Sequence, residues 1–375
     1  MIYLDNAATT LHKPRAVEQA VYQAMRKAGG YARGGHAAAL RAGEAVYDCR
    51  EQAALLFGLD DPARVVLTLN ATHALNLAIH ALTRPGMRVA VSGYEHNAVM
   101  RPLRLRGVQA DVLDTPLWDA QAMVRRAAEA IEAGAELFIL NHVSNVFGFA
   151  APLNEMADLL QEKGVPLILD ASQSAGILDI DVRRYPCLAA VCMPGHKGLY
   201  GPQGTGLLLA LDDRLAQHPL LAGGTGSLSE QMQQPDFLPD ALESGTPNVP
   251  GAAGLAAGIA FVRAIGPAEI LAHERALIRE FARALEQEQR LECFGHPMQT
   301  GVLSLRAAGI PCETLAEELA RRQIAVRAGL HCAPLAHRTA GTEQTGTVRF
   351  SLSFYSTALQ LEQTAEMLKQ LVKKL

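Results

Sequence analysis

Several common features are missing from this chain of 375 residues, and each absence removes a class of protein. No apolar run reaches the roughly 20 residues that a membrane span requires. The N-terminus, Met1-Ile2-Tyr3-Leu4-Asp5, has no basic stretch followed by an apolar one, so no export signal is read and a cytoplasmic protein is expected. Excess positive charge is absent too: the net charge is −4, which provides no field for a polyanion, and neither nucleic acid nor a membrane is an expected partner. The six cysteines (Cys49, Cys187, Cys192, Cys293, Cys312 and Cys332) include no C-x-x-C pair. That spacing speaks against a zinc site and against a disulfide framework, so no metal is expected and most of these thiols read as small buried hydrophobes. There is no G-x-G-x-x-G after the first strand and no G-x-x-x-x-G-K-[ST], so the usual dinucleotide and nucleotide cradles are lacking. No internal repeat or low-complexity tract is found.

What remains is an ordinary globular composition, 49% hydrophobic and 19% charged, long enough for a large core and two domains. Seven short runs rich in Val, Leu and Ile, within residues 65–69, 88–91, 108–113, 137–140, 167–169, 188–193 and 207–211, mostly alternate with helical patterns. This predicts an α/β fold: a large domain with a mostly parallel seven-stranded sheet covered by helices on both faces. Open sheets of this kind bind ligands at the carboxyl ends of their strands, and polar clusters follow several of the runs. The run at 188–193 is followed by Pro194-Gly195-His196-Lys197-Gly198, and the run at 167–169 by Asp170-Ala171-Ser172-Gln173. A lysine amine at one strand end and a carboxylate at a neighbouring one are what pyridoxal 5'-phosphate requires. The amine captures the aldehyde and the carboxylate keeps the pyridinium nitrogen protonated.

Other strand ends add to the pattern. Asn70-Ala71-Thr72-His73 opens a helix and offers a hydroxyl and free amides to a phosphate, although Thr72 alone reads as a helix cap. His96, in Gly93-Tyr94-Glu95-His96-Asn97, is placed to lie over a cofactor ring and move protons. Asn145, in the stretch 141–148, is placed to hydrogen-bond a ring hydroxyl. Upstream, Tyr3 to Thr10 reads as an extended arm, and Val17, Val21, Ala24 and Met25 form one face of a helix that Gly29-Gly30 ends. The loop from Tyr31 to His36 carries Arg33 among glycines. Downstream, helices near 251–265, 267–289, 311–322 and 357–375 mix with strands near 291–294, 302–306, 324–327 and 348–353, which predicts a smaller α+β domain. The expected division is 15–255 for the large domain, with 1–14 and 256–375 forming the small one.

Four ordered motifs carry a family resemblance: Asp170-Ala171-Ser172-Gln173-Ser174, Gly195-His196-Lys197, Glu243-Ser244-Gly245-Thr246-Pro247-Asn248 and Gly329-Leu330-His331-Cys332-Ala333. Together with Leu4 to Thr10 they resemble the class V aminotransferase fold group, and within it the cysteine desulfurase and selenocysteine lyase family. The resemblance implies a Schiff base on Lys197, Asp170 on the ring nitrogen, Gln173 on the ring hydroxyl and His96 stacked on the ring. It implies phosphate contacts from Ala71, Thr72 and His196, and from Thr246 of the neighbouring subunit, hence a homodimer. Arg349, with Asn6, Ala7 and Arg33, is implied in holding the substrate, L-cysteine, and a planar guanidinium suits its carboxylate.

Cys332 distinguishes among the reactions of the group. In the desulfurases a cysteine here accepts the substrate sulfur as a persulfide and alanine leaves. That chemistry needs an accessible thiolate on a mobile loop, and Arg327 or His331 nearby is expected to lower the thiol pKa from roughly 8.5. An aminotransferase, epimerase or selenocysteine lyase would keep Lys197 and Asp170 without needing this thiol, and a non-catalytic sulfur-trafficking protein would need none of them. The sequence also departs from the family pattern. Pro194 replaces a phosphate-binding Ser or Thr and has no amide donor. Asn97 and Leu330 stand in place of frequent histidines, and Ala32 does so before Arg33. The short loop around Cys332 resembles that of members that pass sulfur to an acceptor protein.

Overall fold

In the computed structural model, residues 1–31 and 34–375 are described. Runs of Val, Leu and Ile with no polar face are stable as strands only where both faces of a sheet are covered. After the arm strand β1 (Ile2–Tyr3) and helices α1 (Arg15–Lys27) and α2 (Ala37–Phe57), the chain enters a β/α alternation. It runs β2 (Val65–Thr68), α3 (Ala71–Leu82), β3 (Arg88–Ser92), α4 (Asn97–Leu105), β4 (Gln109–Leu113), α5 (Ala120–Glu132) and β5 (Leu137–Asn141). Next come α6 (Leu153–Lys163), β6 (Leu167–Asp170), β7 (Leu188–Pro194), β8 (Gly206–Ala210) and the short α7 (Arg214–Gln217). The strands form one seven-stranded sheet in the order β2-β8-β7-β6-β5-β3-β4. Its pairs are parallel except where β8 meets β2 and β7.

Every residue of β5, β6, β7 and β8 is buried. Because side chains alternate along a strand, Leu167, Leu169, Val191 and Met193 pack into one core with α2, α5, α6 and α8 (Val249–Ile265). Ile168, Ala190 and Cys192 pack into another with α3, α4 and α7. The sheet is thus covered on both faces, as the runs predict. Among the described residues no single helix is long and apolar enough to cross a membrane.

The rest of the chain forms α9 (Pro267–Leu285), β9 (Leu291–Phe294), β10 (Val302–Ala307), α10 (Cys312–Arg321), β11 (Ile324–Ala325), β12 (Arg327–Gly329), α11 (Pro334–Thr339), β13 (Thr347–Ser351) and α12 (Ala358–Lys374). A four-stranded antiparallel sheet, β12-β13-β10-β9, packs on α9, α10 and α12, and Leu4 of the arm joins this core. On α12 Leu361, Ala365, Leu368 and Val372 are all buried, and Thr357 and Gln360 form a reciprocal capping box.

Two expectations need correcting. The strand expected over 324–327 divides: β11 pairs in parallel with β1, whereas β12 pairs with β13. An apolar run carries no signal for which partner each half takes. Met25 is 70% exposed and not on the buried face of α1. That face is a narrow stripe, since α1 lies so close to α8 that a Cβ on Gly254 would come 2.6 Å from Val21.

Helix α8 also presses on the segment that follows Lys197. A Cβ on Gly258 would lie 2.3 Å from the Leu199 carbonyl oxygen and 2.9 Å from the Gly201 nitrogen, both backbone atoms that cannot swing aside. Gly258→Ala raises helix propensity by about 1 kcal/mol, yet the clash is expected to outweigh it and leave the protein about 1–3 kcal/mol less stable in urea unfolding. A neutral or stabilised variant would show that this contact is loose.

Candidate active site

At the end of β7 the chain turns through Gly195, where a Cβ would lie 2.2 Å from Thr205 Oγ1 of the neighbouring segment, so only glycine fits. The turn is then held from the opposite side by the N-terminal arm. The Thr10 amide and hydroxyl both donate to the His196 carbonyl, at 3.2 and 3.0 Å, and Lys13 Nζ donates to the same oxygen at 2.9 Å. Thr10 Oγ1 also lies 3.3 Å from the Lys197 carbonyl. His196 Nδ1 is 3.0 Å from Thr9 Oγ1, and with Thr9 as donor the His196 proton sits on Nε2.

Lys197 itself is part-buried, and its amine has no hydrogen-bond partner among the described residues. It lines a cavity with Asn6, Ala7, Gln173, Tyr200 and Ser351. Burial, with help from the Arg349 and Arg327 charges, brings its pKa down to about 8, against the opposing pull of Asp170. With a pKa there, a usable fraction of the amine is neutral at physiological pH and serves as nucleophile and base, far more than for an ordinary surface lysine.

Asp170 ends β6, is buried, and accepts the Ser172 amide at 2.9 Å. Its charge acts on both Lys197 and His96. His96 caps α4 by accepting the Ala98 amide on Nδ1 at 3.0 Å, which leaves the proton on Nε2. Burial lowers its pKa, with Asp170 opposing and Lys197 assisting. Gln173 donates to the Ala7 carbonyl at 3.0 Å and so ties the arm to the segment after β6. At the start of α3, Asn70 accepts the His73 amide at 2.9 Å. The amides of Ala71 and of exposed Thr72 have no partner among the described residues, an arrangement that suits an anion at a helix N-terminus.

Arg349 on β13 is 1% exposed. Its Nη2 pairs with Asp5 Oδ1 at 2.7 Å, its Nη1 donates to the Asn145 carbonyl at 3.0 Å, and its Nε is buried without a partner. Asn145 in turn donates from Nδ2 to the His331 carbonyl at 2.9 Å, and its buried Oδ1 is unpartnered. Unsatisfied donors and acceptors of this kind are costly in a core, and they are the groups a polar ligand would complete.

Cys332 is exposed, whereas Cys49, Cys187, Cys192 and Cys312 are buried and Cys293 is half-buried. Two carbonyls of its turn are hydrogen-bonded to other segments. The Cys332 carbonyl accepts the Asn97 amide at 2.8 Å, and the preceding carbonyl is held by Asn145. The turn bears left-handed φ values of +50° at His331 and +58° at Cys332. Arg327 Nη2 lies 3.6 Å from Sγ, which places a cation beside the thiol. His331 is not one: it is buried, and burial, with the charge of Arg349, drives its pKa to about 2, so its ring is neutral.

Thr246 does not line the Lys197 cavity. It borders a separate one with His73, Thr205, Glu243 and Asn248. Arg33 and Ala32 lie outside the described residues. Sequence reasoning missed Asp5, Thr9, Thr10 and Lys13 as parts of the site. Asp5 stood inside the arm motif, but Lys13 acts on a carbonyl 183 residues away and leaves no local signature.

A low-pKa amine, a strand-end carboxylate, an imidazole, a helix N-terminus and orphaned polar atoms on Asn145 and Arg349 together fit an aromatic aldehyde phosphate. The family comparisons agree. Residues 2–364 match the model of the aminotransferase class-V family, and the chain belongs to that family. Within it the chain belongs to the cysteine desulfurase family. It is 31% identical to a probable cysteine desulfurase of Methanothermobacter thermautotrophicus, over 99% of this chain and 94% of the relative. It is also 31% identical to a probable cysteine desulfurase of Vibrio cholerae, over 96% and 91%. Among solved structures, the apo cysteine desulfurase of Thermococcus onnurineus superposes with a TM-score of 0.90 at 28% identity, covering 100% of this chain and 95% of that one. A cysteine desulfurase of Escherichia coli in S-sulfonic acid form gives 0.87 at 27%, with the same coverage.

The buried imidazoles carry a pH signature. His142, directly after β5, is enclosed, and burial alone lowers its pKa to about 4. The unfolded chain binds this proton below about pH 6.5 and the folded chain does not, so stability falls as pH drops through that window. Between pH 7 and about pH 4.5 the group accounts for about 2 kcal/mol. The stability difference between those two pH values should therefore shrink by about 2 kcal/mol in cofactor-free His142→Phe relative to wild type. An unchanged difference would mean that His142 titrates normally in the fold.

Proposed function

We propose that the protein is a pyridoxal 5'-phosphate-dependent cysteine desulfurase that takes the sulfur of L-cysteine onto Cys332 as a persulfide and releases L-alanine. The observation that carries this reading is the exposed thiol of Cys332, with Arg327 beside it, on a turn hydrogen-bonded to Asn97, the residue after His96.

When bound, the cofactor supplies an electron sink that stabilises negative charge at the substrate α-carbon. Lys197 would hold the aldehyde through its amine and, with that amine free, would take the α-proton; a pKa near 8 suits both tasks. Asp170 would keep the ring nitrogen protonated, His96 would cover the ring, and Gln173 and Asn145 would serve the ring hydroxyl. The amides of Ala71 and Thr72 and Nε2 of His196 would hold the phosphate. Arg349, with its unpartnered Nε, receives the substrate carboxylate beside Asn6 and Ala7, and Arg33 is expected to assist.

The Cys332 thiolate attacks the substrate sulfur. A sulfur–sulfur bond forms, the carbon–sulfur bond breaks, and its electron pair stays on the substrate carbon, which is protonated on the way to alanine. The pinned turn keeps the persulfide where it forms, so an acceptor, a protein thiol among the candidates, must come to it. A homodimer is part of the reading, with Thr246 of each chain serving the other's phosphate. Exposed Leu40, Tyr47 and Leu55 along α2, and Leu69 just before α3, provide apolar surface for such a contact.

The test measures alanine and sulfide from L-cysteine. Cys332→Ser is expected to keep the bound cofactor's visible absorbance and lose alanine formation, and an unimpaired serine variant would rule out Cys332 as acceptor. Lys197→Ala is expected to lose the lysine-linked absorbance and to slow any residual turnover by on the order of 10²–10⁴-fold. Retention of that absorbance would dispose of the lysine assignment.

A further inference from the structure

One buried carboxyl next to the site has no part in the reaction so far. Glu95 immediately precedes His96, and its side chain is fully enclosed. Its Oε1 accepts two hydrogen bonds, from Ser92 Oγ at 2.6 Å and from the Asn141 amide at 2.7 Å. The second of these completes the sheet. Strand β3 pairs with β5 only as far as Val91 opposite Ile139, so beyond that point the glutamate oxygen takes the place of a strand carbonyl for Asn141. Asn141 is also the residue in register with Asp170 across β5 and β6, and its side chain donates to the Tyr94 carbonyl at 3.3 Å.

We propose that Glu95 is a positioning residue that works as a neutral carboxylic acid, joining the ends of β3 and β5 beside Asp170 while leaving Asp170 the single anion opposite the ring nitrogen. The inference rests on the reading of Asp170 as the ring-nitrogen partner. Both Oε1 lone pairs are taken by donors, so the proton belongs on Oε2, which is buried and meets no other group. Burial and the Asp170 charge together raise the Glu95 pKa to about 8, against the hydrogen bonds from Ser92 and Asn141. Three titratable groups on the adjoining segments bring no positive charge at pH 7: burial lowers the pKa of His96, burial holds that of His142 near 4, and burial raises that of Tyr94 to about 12. Lys197, whose charge acts on Asp170 and His96, does not figure among the charges that shift Glu95. An ionised Glu95 would set a second negative charge near Asp170 in a medium of low polarity, where two adjacent carboxylates do not both ionise readily. A neutral acid keeps the hydrogen bonds of the strand junction without that charge.

Infrared difference spectroscopy of the holoenzyme carrying ¹³C-labelled glutamate, titrated from about pH 6 to about pH 9, tests this directly. Two protonated carboxyl stretches are expected at low pH, since Glu274, buried elsewhere and with its pKa likewise raised to about 8, supplies a second. Glu95→Gln should remove one of them and leave the Glu274 signal. The same variant, a neutral isostere, should retain the cofactor's visible absorbance and its titration below about pH 7 and depart from wild type only above about pH 8. Ser92→Ala, which removes one stabilising donor to the charged form, should move the midpoint of the Glu95 stretch to higher pH and leave the Glu274 midpoint in place. The proposal is overturned if no stretch disappears in Glu95→Gln, if that variant's absorbance is already shifted at pH 6, if it matches wild type at every pH, or if neither midpoint moves in Ser92→Ala. These signals exist whether or not cysteine is turned over, so a failure of the desulfurase reading alone would leave them intact.

Discussion

In the role proposed for it, Lys197 needs a stationary backbone and a free amine. The His196 carbonyl supplies the first condition, because it receives the Thr10 amide, the Thr10 hydroxyl and the Lys13 ammonium. Those donors come from the N-terminal arm, and the arm stays in place through contacts with the small α+β unit. β1 pairs with β11, the Ser351 hydroxyl receives the Ala7 amide at 2.8 Å, and Asp5 pairs with Arg349. The Lys197 turn therefore depends on three distant parts of the chain being folded at once. Its rigidity is a tertiary property, since each carbonyl bonded here would otherwise be solvated in a loop.

Burial sets the charges around that turn as firmly as it sets the shape. It lowers the Lys197 pKa to about 8 and drives His331 to about 2, while it pushes Glu95 up to about 8. In each case the charged form loses hydration that the surroundings do not fully replace. Where a full charge is retained, a partner is present. Arg349 is nearly inaccessible and keeps Asp5 at 2.7 Å. In the proposed reading a substrate carboxylate would share that guanidinium with Asp5, and five N–H donors on a planar fork make the sharing feasible.

Much of this was legible in the sequence because strand ends carry local signatures. An apolar run closed by Asp170, another closed by Gly195-His196-Lys197, and a cap at Asn70-Ala71-Thr72 place three site groups with no knowledge of long-range contacts. The same locality explains what was missed. Lys13 reads as a polar residue before Pro14, and only the fold shows it reaching His196. His331 sits among polar and small residues that read as an exposed loop, whereas its ring is packed between Thr347 and His337. Met25 fits a helical stripe by spacing, but small residues bring α1 and α8 together so closely that the stripe narrows.

The Cys332 turn shows a different use of rigidity. Two consecutive non-glycine residues in the left-handed region carry a steric cost of roughly 1–2 kcal/mol each, so the turn is not a conformation that the segment would hold by itself. Hydrogen bonds to Asn97 and Asn145 hold it, one from the start of α4 beside His96 and one from the segment that also bonds Arg349. The Cys332 thiol is thereby tied to the segment of His96 on one side and, through Asn145, to Arg349 on the other, which suits the roles proposed for the three. A flexible loop would have to order itself around each substrate and lose entropy in doing so. Here that ordering is already supplied by the fold, and the thiol is left exposed at a fixed point.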